Sequence, residues 1–315
     1  DDHNITGNMN PATYGGNDIT NASVFGSVYS TIINTLTING AKGVVATVPS
    51  ITSIPYFTTV PYIPLTVMSL GNDSTKNRSE QSVVAQTDAG AALINQLNAE
   101  LYGPLNQIFT AFGEPNRVKL LSTTAANPIL IFDADAADRS AQITAVLTPT
   151  LGAPTATAFG QVFGKARQAT RDDLIVLPAS GVIGTPNASS PSALININGV
   201  SYPMANRWVL TANEKAKVAT ATAAYNSSIR SIAASKGLAV ADMNLILNQL
   251  VGGLRIETGQ IYTANYFSGV ATENKVLFSL DGVHPNARGY AVIANEIIKV
   301  INEHYNANLP LHYVN

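Results

Sequence analysis

The chain has no cysteine, few charged residues and no long apolar run. The absence of cysteine excludes disulfides but leaves the compartment open, because a domain of this size needs none. Charged residues make up 12% and the formal net charge is −2, which gives no electrostatic signature of nucleic-acid binding. No apolar run is long enough to span a bilayer, and no basic segment followed by an apolar core opens the chain. We therefore expect neither a nucleic-acid partner nor a transmembrane segment.

Apolar residues, in contrast, are plentiful. Hydrophobic residues make up 46% of 315 residues, which is enough for one large core or for a core with an inserted subdomain. No organic cofactor motif stands out.

Three aspartates, Asp133, Asp135 and Asp138, suggest a calcium loop, but the glycine and terminal glutamate of an EF-hand are absent. We predict an acidic turn at the start of a helix and no metal site.

The most informative motif is Asp281-Gly282-Val283-His284-Pro285. One tight turn can bring the carboxylate of Asp281 back to the imidazole of His284. Such a carboxylate fixes the tautomer of the imidazole and stabilises the imidazolium, while histidine transfers protons near neutral pH. Apolar residues at helical spacing predict a helix from Asn286 to Tyr305. The same spacing also fits a simple helix cap with an incidental histidine.

A second motif, Tyr14 to Asp18 (YGGND), precedes a loop–helix–strand pattern. The pattern predicts an amphipathic helix, a stop at Gly40 and a strand over 43–49, as in parallel α/β sheets. The apolar positions assigned to the helix are Val24, Phe25, Val28, Ile32, Ile33 and Leu36. On its own, the Asn17–Asp18 pair also fits an ordinary turn or helix cap.

Together the two motifs resemble blocks of the SGNH hydrolases, also called the GDSL esterase/lipase family. Gly15, Asn17 and Asp18 match its G-x-N-D block, and residues 281–285 match its D-x-x-H-P block. Residues 41–49 and 238–242 are similar to strands that flank these blocks. The resemblance covers about residues 11–60 and 205–305. It implies an α/β fold in three flavodoxin-like layers, with a parallel sheet flanked by helices.

The resemblance also assigns roles to the matching residues. It implies that His284 is the general base, that Asp281 orients it, and that the side-chain amide of Asn17 donates to the oxyanion hole. Gly15 and Asp18 would support the loop. The reaction implied is hydrolysis of a carboxylic ester through a serine acyl-enzyme, without metal or cofactor.

The chain departs from the family pattern at the nucleophile. No G-D-S occurs in the 315 residues, and no serine lies among the fourteen residues before Gly15. Removing the family's first strand would leave its neighbours unpaired. We therefore expect the serine-bearing strand to come from an N-terminal segment of the same protein. The competing interpretation is a relative that binds a ligand or glycan without catalysis.

Residues 60–205 match no part of the family's common core. We interpret 1–59 and 206–315 as the SGNH core without its first strand, and 60–205 as an insertion that forms a substrate-access region. The expected substrate is a small-molecule, lipid or acylated-carbohydrate ester, and a carbohydrate O-acetyl esterase remains an alternative. Low charge, abundant Asn, Thr, Ser and Ala, and the family resemblance favour an exported bacterial protein.

Overall fold

The computed structural model describes residues 10–16, 18–72, 81–252, 254–255, 261–262 and 277–312. Helices dominate, and the strands are short. The α-helices, in chain order, are α1 (Ala22–Leu36), α2 (Pro55–Thr58), α3 (Val67–Leu70), α4 (Val83–Leu97), α5 (Gly103–Ala111), α6 (Ser140–Leu151), α7 (Ala153–Phe163), α8 (Ala212–Ser235), α9 (Met243–Gly252) and α10 (Ala287–Tyr305). The strands are β1 (Val44–Ala46), β2 (Leu130–Phe132), β3 (Ala166–Gln168), β4 (Leu174–Ile175), β5 (Val209–Leu210), β6 (Ala239–Ala241), β7 (Leu254–Arg255) and β8 (Ile261–Tyr262).

These strands pair two by two. Strands β1 and β6 are parallel, and the pairs β2–β3, β4–β5 and β7–β8 are antiparallel. The chain is thus a mixed helix and strand protein with one small parallel pair, compatible with the expected α/β class. Over the described ranges the parallel sheet has two strands, fewer than the family fold would have.

Two compact units make up the chain. The main part of the first unit is Val60–Ala212, and the second unit consists of Tyr14–Thr59 and Asn213–Asn315. The insertion predicted from the sequence covers residues 60–205. Its role in substrate access stays a prediction.

Within the described ranges, no helix has both the length and the apolar character needed to cross a membrane.

The second unit is organised around the parallel pair, in which Val44, Val45 and Ala46 face Ala239, Val240 and Ala241. Because side chains alternate along a strand, the pair has two apolar faces. On one face Val45 packs with Ile33 of α1 and Ile229 of α8. On the other face Ala241 packs with Ile246 of α9 and Ile293 of α10. Helices therefore pack on both faces of the pair.

Helix α1 corrects one part of the sequence interpretation. Its start is fixed by Asn21, whose side chain accepts hydrogen bonds from Ser23 N and Val24 N. Its core-facing residues are Phe25, Tyr29 and Ile33. Four of the six predicted apolar positions are instead exposed by half or more: Val24, Val28, Ile32 and Leu36. The helix is therefore apolar on two sides, and the packed side is the one that carries the aromatic rings.

In the first unit, polar side chains form hydrogen bonds to backbone carbonyls of short strands and loops. Arg117 donates to the carbonyls of Ala166 (2.9 Å) and Gly164 (2.7 Å). Asn127, which is buried, donates to Ser122 O (2.9 Å). These bonds give side-chain donors to backbone carbonyls, and a folded interior requires such groups to be paired.

Candidate active site

The motif 281–285 lies on a tight turn between a bridge and a helix. Phe278 pairs with Pro285 in an antiparallel bridge, and Ser279 N donates to His284 O at 2.8 Å. Gly282 sits at the tip with φ +71°, a left-handed conformation that favours glycine. The turn therefore folds the chain back so that residues 281 and 284 become neighbours.

Asp281 and His284 form a close pair. Asp281 Oδ2 lies 2.6 Å from His284 Nδ1. The other oxygen, Oδ1, accepts bonds from Ser279 Oγ (2.6 Å), Val283 N (2.9 Å) and His284 N (3.0 Å). Both oxygens of the carboxylate are thus held, and its orientation toward the imidazole is fixed.

These donors stabilise the charged form of the carboxyl group. The pKa of Asp281 is lowered well below its usual value, first by the hydroxyl of Ser279, then by His284 and by the backbone N–H groups of Val283 and His284. Asp281 is consequently an anion at neutral pH. The side chain of His284 is 71% exposed. Within the part of the chain that the structure describes, its Nε2 has no hydrogen-bond partner, so this nitrogen is available to a proton donor.

The turn is anchored on both sides. Tyr56 N donates to Gly282 O at 2.9 Å, which ties the tip to the segment after β1. Asn286 caps α10 by accepting from Gly289 N at 3.0 Å. A Cβ at Gly289 would lie 2.2 Å from Leu277 O, so this close approach of helix to turn requires glycine.

An apolar cavity of about 400 Å³ adjoins the turn within the second unit. Val283 and Pro285 of the turn contribute to its wall. The remaining wall comes from the end of β1 and the segment that follows it, from α9 and α10, and from residues 277–278. Its largest side chains are Ile51, Ile54, Met243, Leu247, Phe278 and Ile293. Such a wall suits an apolar group of a small ligand.

The G-x-N-D motif forms a closed turn. Asp18 Oδ2 accepts from Gly15 N at 2.7 Å, and Asp18 N donates to Gly15 O at 3.2 Å. Asp18 therefore acts locally on its own loop. Asn17 lies outside the described residues, so its role as an oxyanion donor stays a prediction.

In the candidate calcium loop, the carboxylates of Asp133 and Asp138 bind different partners. Asp133 Oδ2 pairs with Arg167, and Asp138 Oδ1 accepts from Ser140 N (2.8 Å) at the start of α6. Asp133 Oδ1 accepts from Asp135 N at 2.9 Å. Among the described residues, no group of three or more His, Cys, Asp or Glu could hold a metal. Of the three, Asp138 bonds the backbone at the start of α6, but the first turn of that helix contains no acidic residue.

Sequence reasoning missed Ser279. Its hydroxyl binds the catalytic candidate Asp281 and contributes most to lowering the pKa of that carboxyl group. The available signal was its position two residues before the aspartate, a spacing at which serine and aspartate side chains can meet across a turn. Over the described residues, no serine hydroxyl makes a hydrogen bond to His284.

Comparisons with protein-family models, with curated proteins and with solved structures found no match to this chain.

Proposed function

We propose that Asp281 and His284 form the acid–base pair of a carboxylic ester hydrolase of SGNH type. One observation carries the proposal: the 2.6 Å contact between Asp281 Oδ2 and His284 Nδ1, on an exposed turn beside an apolar cavity. A carboxylate held by four hydrogen bonds keeps Nδ1 protonated and leaves Nε2 as the base. This is the arrangement that serine hydrolases need.

In the proposed reaction, His284 Nε2 takes the proton of a serine hydroxyl while the serine oxygen attacks the ester carbonyl. The resulting tetrahedral oxyanion accepts a hydrogen bond from the amide of Asn17. Collapse breaks the ester C–O bond, and His284 returns the proton to the departing alcohol. Water then repeats the sequence on the acyl-enzyme and releases the acid. The serine would come from a segment of the same protein outside these 315 residues, since no G-D-S occurs in them.

The cavity wall bears on the substrate class. Its side chains are almost entirely apolar, which favours an ester with an apolar acyl group over an acetylated carbohydrate. A lipid-like or simple alkyl ester is thus the proposed substrate, with no metal or organic cofactor. Export of the protein remains part of the proposal and is supported by its composition and by the motif resemblance.

The test is hydrolysis of p-nitrophenyl butyrate by the protein made from its natural coding region. We expect His284→Ala to lower kcat by about 10⁴-fold, because the nucleophile loses its base. Asp281→Asn should lower it less, and Asn17→Ala by about 10²–10³-fold with little change in KM. His304→Ala, on the exposed end of α10, is the matched control.

The competing function is ligand binding without catalysis. It would replace the hydrolase if the wild-type protein neither hydrolysed alkyl esters nor reacted with a serine-directed fluorophosphonate. Full activity of His284→Ala would equally overturn the assigned roles. Unfolding curves of the variants separate a lost base from a lost fold.

A further inference from the structure

A second cavity, of about 920 Å³, lies inside the first unit. Helices α4, α5, α6 and α7 and the segment between α4 and α5 supply most of its wall, and residues 69–72 and 183–201 supply the rest. Its volume is at the upper end of the range for small-molecule sites, roughly 300–1,000 Å³. Its lining residues all belong to the first unit, whereas Asp281 and His284 belong to the second.

A row of leucines runs along one wall. Leu93, Leu97, Leu101 and Leu105 all line the cavity at four-residue spacing. In a regular α-helix this spacing drifts round the axis by about 40° at each step. A π-helical segment, Asn98–Tyr102, joins α4 to α5, and its wider turn counters the drift. The backbone irregularity thus keeps the row in line, and π segments are frequent at functional sites.

Another part of the wall, on α6, leaves apolar groups in contact with solvent. Val146 and Leu151 of α6 are 51% and 38% exposed, although both line the cavity. Together with the leucine row they form a large apolar part of the cavity wall. An apolar chain would cover these groups and remove their surface from water.

Among the described residues that line the cavity, only Glu100 carries a charge. Gln96 Nε2 donates to the carboxylate of Glu100, at 3.2 Å to Oε2. Ser69, Thr150 and Ser201 add hydroxyl groups. Within the described ranges the lining includes no Lys, Arg or His. A carboxylate without a cation repels an anionic headgroup but accepts a hydrogen bond from a hydroxyl group.

We propose that this cavity binds a neutral, hydroxyl-bearing amphiphile with a single alkyl chain, such as a fatty alcohol or a monoacylglycerol. The chain lies along the leucine row and the hydroxyl donates to Glu100. The site is independent of the proposed hydrolase, because binding here involves neither His284 nor a serine nucleophile.

The first experiment is calorimetric titration of the whole protein with 1-octanol, 1-decanol and decanoate. We expect the Kd for the alcohols to tighten by up to about fourfold for each added methylene. Decanoate should bind about tenfold more weakly than 1-decanol, since its charge faces Glu100. Glu100→Gln should reduce that difference. Equal or tighter binding of decanoate by the wild-type protein would overturn the proposed headgroup, and no binding of any probe would overturn the site.

A matched pair of variants locates the binding. Val146→Gln places a polar group in the cavity and should weaken the binding of 1-decanol about tenfold. Val84→Gln makes the same change on α4, at a position that is 67% exposed and is not part of the cavity wall. It should leave the Kd unchanged. An equal loss in both variants would refute the location. Because both side chains are at least half exposed, we expect both variants to fold.

Discussion

Thr47 Oγ1 lies 3.0 Å from Asp242 Oδ1 and joins the carboxyl ends of β1 and β6 across 195 positions of sequence. The same hydroxyl oxygen accepts from Asn244 N at 3.1 Å. Thr47 is 2% exposed, so these bonds replace water that the site excludes. This contact joins the ends of the two parallel strands beside the apolar cavity, which Thr47 itself lines.

Removing this hydroxyl should destabilise the second unit. Thr47→Val keeps the shape but leaves Asn244 N without its acceptor, and we expect a loss of about 1–3 kcal/mol in the free energy of unfolding. Urea denaturation measures it. Thr35→Val, on the exposed side of α1, should change the midpoint little. Equal midpoints for the two variants would show that the strand ends do not depend on Thr47.

Acid should destabilise the first unit through Asp173. Burial alone would raise the pKa of this carboxyl group, but hydrogen bonds and charge from Arg167, with further bonds from Thr170, lower it. Its folded pKa is thus below the unfolded value of about 3.9. The stabilisation is complete above the unfolded pKa and is lost as pH falls through the folded pKa.

Denaturation midpoints between pH 6 and pH 2.5 test this sign. We expect Asp173→Asn to be less stable at pH 6 and to lose less stability on acidification than the wild type. Asp88→Asn, an exposed position on α4, is the control and should keep the wild-type slope. A wild-type slope in Asp173→Asn would assign the acid sensitivity to other groups.

Ser279 should act as a positioning residue for the pair. In Ser279→Ala the pKa of Asp281 should rise toward its ordinary value, because the hydrogen bond that lowers this pKa most is gone. NMR titration of the Asp281 carboxyl carbon measures the shift without reference to activity. Ser279→Thr keeps the hydroxyl and should preserve the wild-type titration. If the proposed hydrolase is correct, kcat of Ser279→Ala should fall by about tenfold or less with KM unchanged.

Gly289→Ala should loosen the junction between the turn and α10. The new Cβ would collide with the backbone oxygen of Leu277, which cannot rotate away, so we expect a loss of about 1–3 kcal/mol. Gly43→Ala meets only ordinary contact, with Leu238 at 3.8 Å, and should be neutral or slightly stabilising. Thermal unfolding of the two variants gives the comparison. Equal melting temperatures would mean that the helix start shifts without cost.

Local patterns predicted the helices well. The spacing of apolar residues indicated a helix that ends before Gly40 and another over 286–305, and the structure has Ala22–Leu36 and Ala287–Tyr305. Both helices are long, and periodicity over several turns is a strong signal. The π segment between α4 and α5 was not predicted, and Pro104 lies directly after it, in the first turn of α5.

Burial was harder to predict than helicity. Valine and leucine at helical spacing on α1 cannot be distinguished by pattern from the phenylalanine and tyrosine that pack. The strand pairs were also out of reach, because the register of Val45 with Val240 depends on contacts between residues far apart in sequence. The acid–histidine contact could be predicted, since its partners are three residues apart, whereas the location of Asn17 remains untested.

The Asp281–His284 contact joins residues three positions apart, whereas the contact of Thr47 with Asp242 joins residues 195 positions apart. Closing a short loop costs much less chain entropy than closing a long one. The turn can therefore form within a partly folded chain, before β1 and β6 meet. On this basis the pairing of Asp281 with His284 is a local property of the turn, whereas the position of the turn depends on a residue far away in sequence, Tyr56, whose N–H donates to Gly282 O.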